Sequence, residues 1–174
     1  MTDVIWRAGA LHAGGLMEPI KTRGDELIIT YEHVSEAMTV VKVVGEVDVH
    51  SAPALRNVLT DLIALQHIVL VVDMGEADLT DSTGLGVLIG GLKRTLAAGG
   101  ALAIAAPHRR FLRLLHAKGL AKVFPVAASV AIAVERLPLL VAARRRSRDS
   151  GAEDGAGDGG TASGAGAPAA HQSV

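Results

Sequence analysis

The run Ile68-Val69-Leu70-Val71-Val72, closed by Asp73, decides the fold. An apolar stretch this short, β-branched and without polar alternation, reads as a strand covered on both faces, the pattern of a sheet held between helices. Upstream of it, Ser51 is a good helix N-cap and Pro53 sits in the first turn. Leu55, Val58, Leu59, Leu62, Ile63 and Leu65 then recur at helical spacing. Before that helix, two β-rich runs, 27–33 and 38–44, are separated by the short polar connection Val34-Ser35-Glu36-Ala37, which predicts an antiparallel hairpin whose second strand ends at Gly45. Downstream, after a polar loop, Asp81-Ser82-Thr83-Gly84 opens a helix through Leu96 that places Leu85, Leu88, Ile89 and Leu92 on one face and stops at Gly99-Gly100. Residues 101–105 read as another buried strand and 107–118 as a short helix closed by Gly119. A weak strand near Val123-Phe124 and a helix from Ser129 to about Arg136 complete the pattern. The order specifies an α/β fold, a mixed sheet of four to five strands packed with about four helices.

The chain has 174 residues, enough for one domain with length to spare. Residues 1–24 read as an extension, with Met17 an alternative translation start. Residues 25–141 form the domain, and 142–174 a tail that opens on Arg144, Arg145, Arg146 and Arg148 before turning to Gly and Ala. Such a composition buries too little apolar surface to offset the entropy of ordering, so the tail is expected to be disordered. A formal net charge of −1 supplies no global field for nucleic acid or an anionic membrane. The absence of cysteine excludes a disulfide framework, thiolate zinc sites and cysteine nucleophiles. The opening MTDVIWRAGALHAGGLM has no signal-peptide pattern, and no apolar run approaches the roughly 20 residues of a membrane span. A soluble cytoplasmic protein without membrane insertion is therefore expected.

Two segments carry candidate chemistry. In Asp81-Ser82-Thr83-Gly84-Leu85, hydroxyls stand at a helix start, where the bland role is capping the first free N–H groups. The sharper role is phosphorylation of Ser82, with Thr83 as the fallback acceptor. A phosphoryl group adds about −1.5 to −2 charge, which a helix N-terminus tolerates, so the effect would be felt by a partner packed over this corner. The second segment, Gly45-Glu46-Val47-Asp48-Val49-His50-Ser51-Ala52, joins a strand to the first helix. Read blandly it is a turn in which Asp48 and Ser51 satisfy loop and cap donors. In a mixed sheet both loops can meet at one edge and make a single surface.

Gly45-Glu46-Val47-Asp48 followed by Ser51-Ala52 and Leu55, then Asp81-Ser82-Thr83-Gly84-Leu85, resembles the STAS-domain anti-sigma factor antagonist family. The resemblance spans roughly residues 27–140. It implies a STAS-like fold, and a non-enzymatic protein that captures an anti-sigma factor and so frees a sigma factor for transcription. That anti-sigma factor would have a histidine-kinase-like ATPase fold and act as a serine kinase on Ser82, with a phosphatase to reset the switch. Asp48, His50, Ser51, Asp81, Thr83, Gly84 and Leu85 would form the partner-binding surface. Val47, where the family more often has Leu or Ile, and the long tail depart from the family pattern.

Other signals are weaker. Gly84-Leu85-Gly86-Val87-Leu88-Ile89-Gly90-Gly91 lacks the Lys-Ser/Thr ending of a phosphate-binding loop. Its glycines suggest close helix packing, with Gly86 and Gly90 on one face. The basic helix with His108, Arg109, Arg110, Arg113, His116 and Lys118 reads as a solvated face, not as a direct nucleic-acid site. The histidines show no metal-ligand spacing and no catalytic set announces itself, so neither metal nor cofactor is expected. The competing readings are a non-switching STAS subunit of a lipid or anion transport system and an enzyme with a hidden site.

Overall fold

The computed structural model describes residues 20–21, 27–79 and 81–153. In chain order its elements are β1 (Ile20–Lys21), β2 (Leu27–His33), β3 (Met38–Val47), α1 (Ala52–Ala64), β4 (Val69–Leu79), α2 (Ser82–Ala97), β5 (Ala101–Ala105), α3 (Arg109–Ala117), β6 (Val126–Ala127) and α4 (Val130–Glu153). The strands form one mixed sheet in the order β1-β2-β3-β4-β5-β6. Pairing is antiparallel from β1 to β3 and parallel from β3 to β6. The expected five strands and four helices are present, with the two-residue β1 added on the outer edge. The remainder of the extension and the Gly/Ala-rich end of the tail lie outside the described residues.

The central run behaves as its composition demands. Leu70 and Val72 join the larger core, with Leu55, Val58, Leu59 and Leu62 of α1 and Leu85, Leu88 and Leu92 of α2. Val69 and Val71 join a second core beneath α4. The two cores differ in grain. Beneath α4 the sheet offers Ala101, Ala103, Ala105 and Ala127, and Ala133 faces them from the helix, so small side chains let α4 lie close. Phe111 and Leu115 of α3 and Phe124 complete the larger core, leaving the remainder of the basic helix face to solvent.

Several boundaries move relative to the sequence reading. Gly45 does not end β3; it takes φ 103° inside a strand that continues to Val47. Nor does β4 stop at Asp73. The pairing shifts where Lys42 and Val44 face Asp73 and Glu76, so β4 carries one extra residue, a β-bulge. The Asp73 carboxylate accepts from the Gly75 amide at 3.0 Å and makes this polar bend self-sufficient. Pairing then resumes to Val47 opposite Leu79. The last strand lies at Val126–Ala127, three residues beyond the expected Val123-Phe124, because Phe124 is taken into the core.

Close helix packing falls at Gly91, where an added Cβ would come 3.0 Å from Leu59 Cδ1 and 3.2 Å from Leu102 Cδ1. Gly86 faces open space and Gly90 meets only the Arg94 side chain. Helix α4 passes Arg136, includes Pro138 and runs to Glu153, so the chain from 142 to 153 is helical where a disordered tail was expected. A proline inside a helix costs about 3 kcal/mol, but Ala133, Leu137 and Val141 keep one buried stripe through it. Beyond Val141 the same stripe places Arg144, Arg145 and Arg148 around Leu96 and the Gly99-Gly100 turn, at the C-terminal end of α2. The helix dipole favours cations there.

Candidate docking surface

Because β3 and β4 run parallel and stay paired to their ends, the loops that leave Val47 and Leu79 emerge side by side at one edge of the sheet. Their contact is tight. Gly84, in the first turn of α2, sits so close to Leu79 and Val47 that an added Cβ would fall 2.8 Å from Val47 Cγ1 and 3.3 Å from its Cβ. The two motifs thus touch directly, residue 47 of one against residue 84 of the other.

In the first loop Asp48 is the organiser. One carboxylate oxygen accepts from the amides of His50 at 2.9 Å and Ser51 at 2.8 Å, and stands 2.8 Å from the Ser51 hydroxyl. The Ser51 Oγ accepts from the Asp48 amide at 2.9 Å, and its single proton lies between Asp48 and the Glu46 carbonyl, 2.9 Å away. Bonds from Ser51, backbone first and hydroxyl second, together with the His50 amide, hold the Asp48 carboxyl below the usual carboxylate range. The sequence suggested that Ser51 caps α1, but its side chain does not; the residue is only 7% exposed and its hydroxyl is spent on the loop. The rigid turn presents Val49, 56% exposed, and His50 to solvent.

In the second loop the capping reading is right for Asp81. Its backbone is extended and its carboxylate accepts from the Thr83 amide at 2.7 Å. Ser82 is exposed and its hydroxyl has no hydrogen-bond partner among the described residues, while Thr83 is half-buried. Gly84 and Leu85, expected on the partner surface, are buried and shape it from beneath. The exposed groups at this edge are therefore Val49, His50 and Ser82, with Asp48, Asp81 and Thr83 partly accessible.

Beside this edge the structure adds a shallow cleft of about 350 Å³ lined by Gly45, Glu46, Glu76, Ala77, Asp78, His108 and Arg110. Arg110 pairs with Asp78 at 3.0 Å and Lys42 with Glu76 at 2.6 Å. Sequence reasoning missed the cleft because it joins β3 and β4 to the start of α3, and only tertiary packing brings those segments together. Among the described residues no group of three or more His, Asp or Glu is placed to hold a metal ion, and no helix is long and apolar enough to cross a membrane.

A family model described as the STAS domain matches residues 28–133. The chain is 38% identical over 88 residues to the anti-sigma-B factor antagonist of Bacillus subtilis, covering 51% of this chain and 80% of that protein. It is 32% identical over 103 residues to the anti-sigma F factor antagonist of Paenibacillus polymyxa, covering 58% and 86%. Among solved structures, an anti-sigma factor antagonist from Mycobacterium paratuberculosis superposes with a TM-score of 0.57 at 25% identity, covering 67% of this chain and 98% of that one. The anti-sigma factor antagonist SpoIIAA in its unphosphorylated form superposes with a TM-score of 0.56 at 20% identity, covering 63% and 96%. Its phosphorylated form gives 0.53, likewise at 20% identity, covering 62% and 97%.

Proposed function

Since the chain belongs to the STAS domain family, we propose that it is an anti-sigma factor antagonist, a non-enzymatic regulator whose docking surface is the edge built by the Asp48 and Ser82 loops. Unphosphorylated, it binds an anti-sigma factor there and frees a sigma factor. The partner is itself a serine kinase with a histidine-kinase-like ATPase fold, working in the cytoplasm. It transfers the γ-phosphoryl group of ATP to the Ser82 hydroxyl, and a phosphatase removes it.

The observation that carries this reading is the position of Ser82. It is exposed on the first turn of α2 while its neighbour Asp81 does the capping, so a phosphate added to the Ser82 hydroxyl breaks no side-chain hydrogen bond among the described residues. About −1.5 to −2 charge arrives beside the Asp81 carboxylate, and a partner seated over Val49 and His50 meets that charge and its hydration shell. The N-terminal end of the helix stabilises the anion in place. The mark therefore changes binding and leaves the fold intact.

The experiment is incubation of the purified chain with anti-sigma kinases of the same genome and Mg·ATP, read by intact-mass and peptide mass spectrometry and by complex formation. Phosphate on Ser82 with loss of the complex is expected, and Ser82→Ala should stay bound in the presence of ATP. A folded protein that no active kinase modifies, or a complex indifferent to the phosphate, overturns the proposal in favour of a non-switching transport subunit.

A further inference from the structure

We propose that His33 and His67 form an acid-sensitive clasp that fastens the tip of the β2–β3 hairpin to the connection between α1 and β4, and that protonation releases it. His33 is the last residue of β2, and His67 lies in the segment entering β4. Their rings stack at 4.0 Å between centroids and 17° between planes. His33 Nδ1 is 2.8 Å from Thr39 Oγ1, and the Tyr31 ring lies 5.5 Å from the His33 ring between centroids, tilted by 59°. His67 is only 8% exposed, and its Nδ1 is buried without a hydrogen-bond partner among the described residues.

A neutral imidazole tolerates this site; an imidazolium does not. Both ring nitrogens of His67 would then carry protons, one with nothing to accept it, in a setting that strips most of the hydration. His33 differs in having a partner, since the Thr39 hydroxyl stands within hydrogen-bond distance of its Nδ1. Positive charge on His33 would oppose a charge on the stacked His67 ring at short range. Of the other ionisable groups, Tyr31 on β2 stands next to His33 and feels Asp61 on α1, and Glu36 in the hairpin turn is exposed. Among the described residues no salt bridge joins either carboxylate to the two histidines. Parallel rings also cannot aim two in-plane lone pairs at one ion, so the pair is not a metal site.

Burial, followed by the influence of His33, holds the His67 ring below the ordinary histidine value. A base whose folded-state value is lowered contributes stability that is fully present above its unfolded value, about 6.5, and is lost as the pH falls from there toward the folded value. Release would free the hairpin turn, whose Ala37 carbonyl accepts from the Val69 amide at 2.9 Å, and the His67 amide bonded to the Leu62 carbonyl at 2.9 Å. Both bonds lie at the start of β4, at the end of the sheet away from the docking edge.

The test uses the full chain. Titration of the histidine rings by NMR should show His67 changing below about pH 6.5. Melting temperature measured from about pH 7.5 to about pH 5 should fall less in His67→Phe, which keeps an aromatic face against His33 but carries no titrating nitrogen. A His67 that titrates at or above the ordinary histidine value overturns the proposal, as does an unchanged acid slope in the variant. Should that variant fail to fold, the titration of the wild-type chain decides alone.

Discussion

Gly84→Ala tests whether the two motif loops are held at their observed separation. The new methyl group points into Leu79 and Val47, with Val47 Cγ1 at 2.8 Å and Cβ at 3.3 Å. Leu79 can swing its terminal methyl aside, but Val47 is β-branched, stiff at χ1 and paired within the strand, so the loops must separate. Overpacking of this kind costs about 1–3 kcal/mol. Replacing glycine by alanine in a helix returns about 0.5–1 kcal/mol, leaving a net loss of up to about 2.5 kcal/mol. The internal control is Gly86→Ala, two residues along the same helix, where an added Cβ meets nothing within 4 Å; there only the gain remains. Urea denaturation of both variants, with the slope checked to be constant, gives the stabilities, and titration with the anti-sigma partner gives the affinities. The expected order of stability is Gly86→Ala, wild type, Gly84→Ala, with weakened partner binding confined to the last. A Gly84→Ala variant as stable as Gly86→Ala would refute the close contact and with it the single docking surface.

Asp81→Ala removes the bond to the Thr83 amide and should destabilise the protein by about 0.5–2 kcal/mol, with Asp81→Asn or Asp81→Ser recovering most of it in chemical denaturation. Asp48→Asn should leave the fold intact and flatten the acid limb of the stability curve. The depressed carboxyl of Asp48 contributes stability that is present above its unfolded value, about 3.9, and is lost as the pH falls through the folded value, so removing it removes that segment of the slope in acid titration followed by circular dichroism.

The sequence made the sheet and its double cover legible because periodicity is a local signal. The run Val69-Leu70-Val71-Val72 is buried between two cores, with Ile68 partly buried just before the strand. What it could not show were boundaries settled by distant partners. Asp73 reads as a strand end, yet the bulge absorbs its carboxylate and the strand runs on to Leu79. A helix ending near Arg136 suits Pro138 two residues beyond, but the stripe of Ala133, Leu137 and Val141 against the sheet outweighs the proline. Ser51 has the composition of a helix cap and spends its hydroxyl on the Asp48 turn instead. At the docking edge the residue types were readable from their motifs. The contact of Val47 with Gly84 was not, because it depends on a parallel register that no local pattern encodes, and neither was the cleft completed by Arg110.

The division of labour between Asp81 and Ser82 has a consequence for how often the position can be used. A residue that holds its own helix together can be altered only by weakening the fold, so each alteration exposes the chain to misfolding and proteolysis. Ser82 carries no such duty, since its neighbour secures the helix start. Whatever is attached there can be written and erased through many cycles without wearing on the scaffold, and the record it keeps is legible only to a molecule that comes to read that edge.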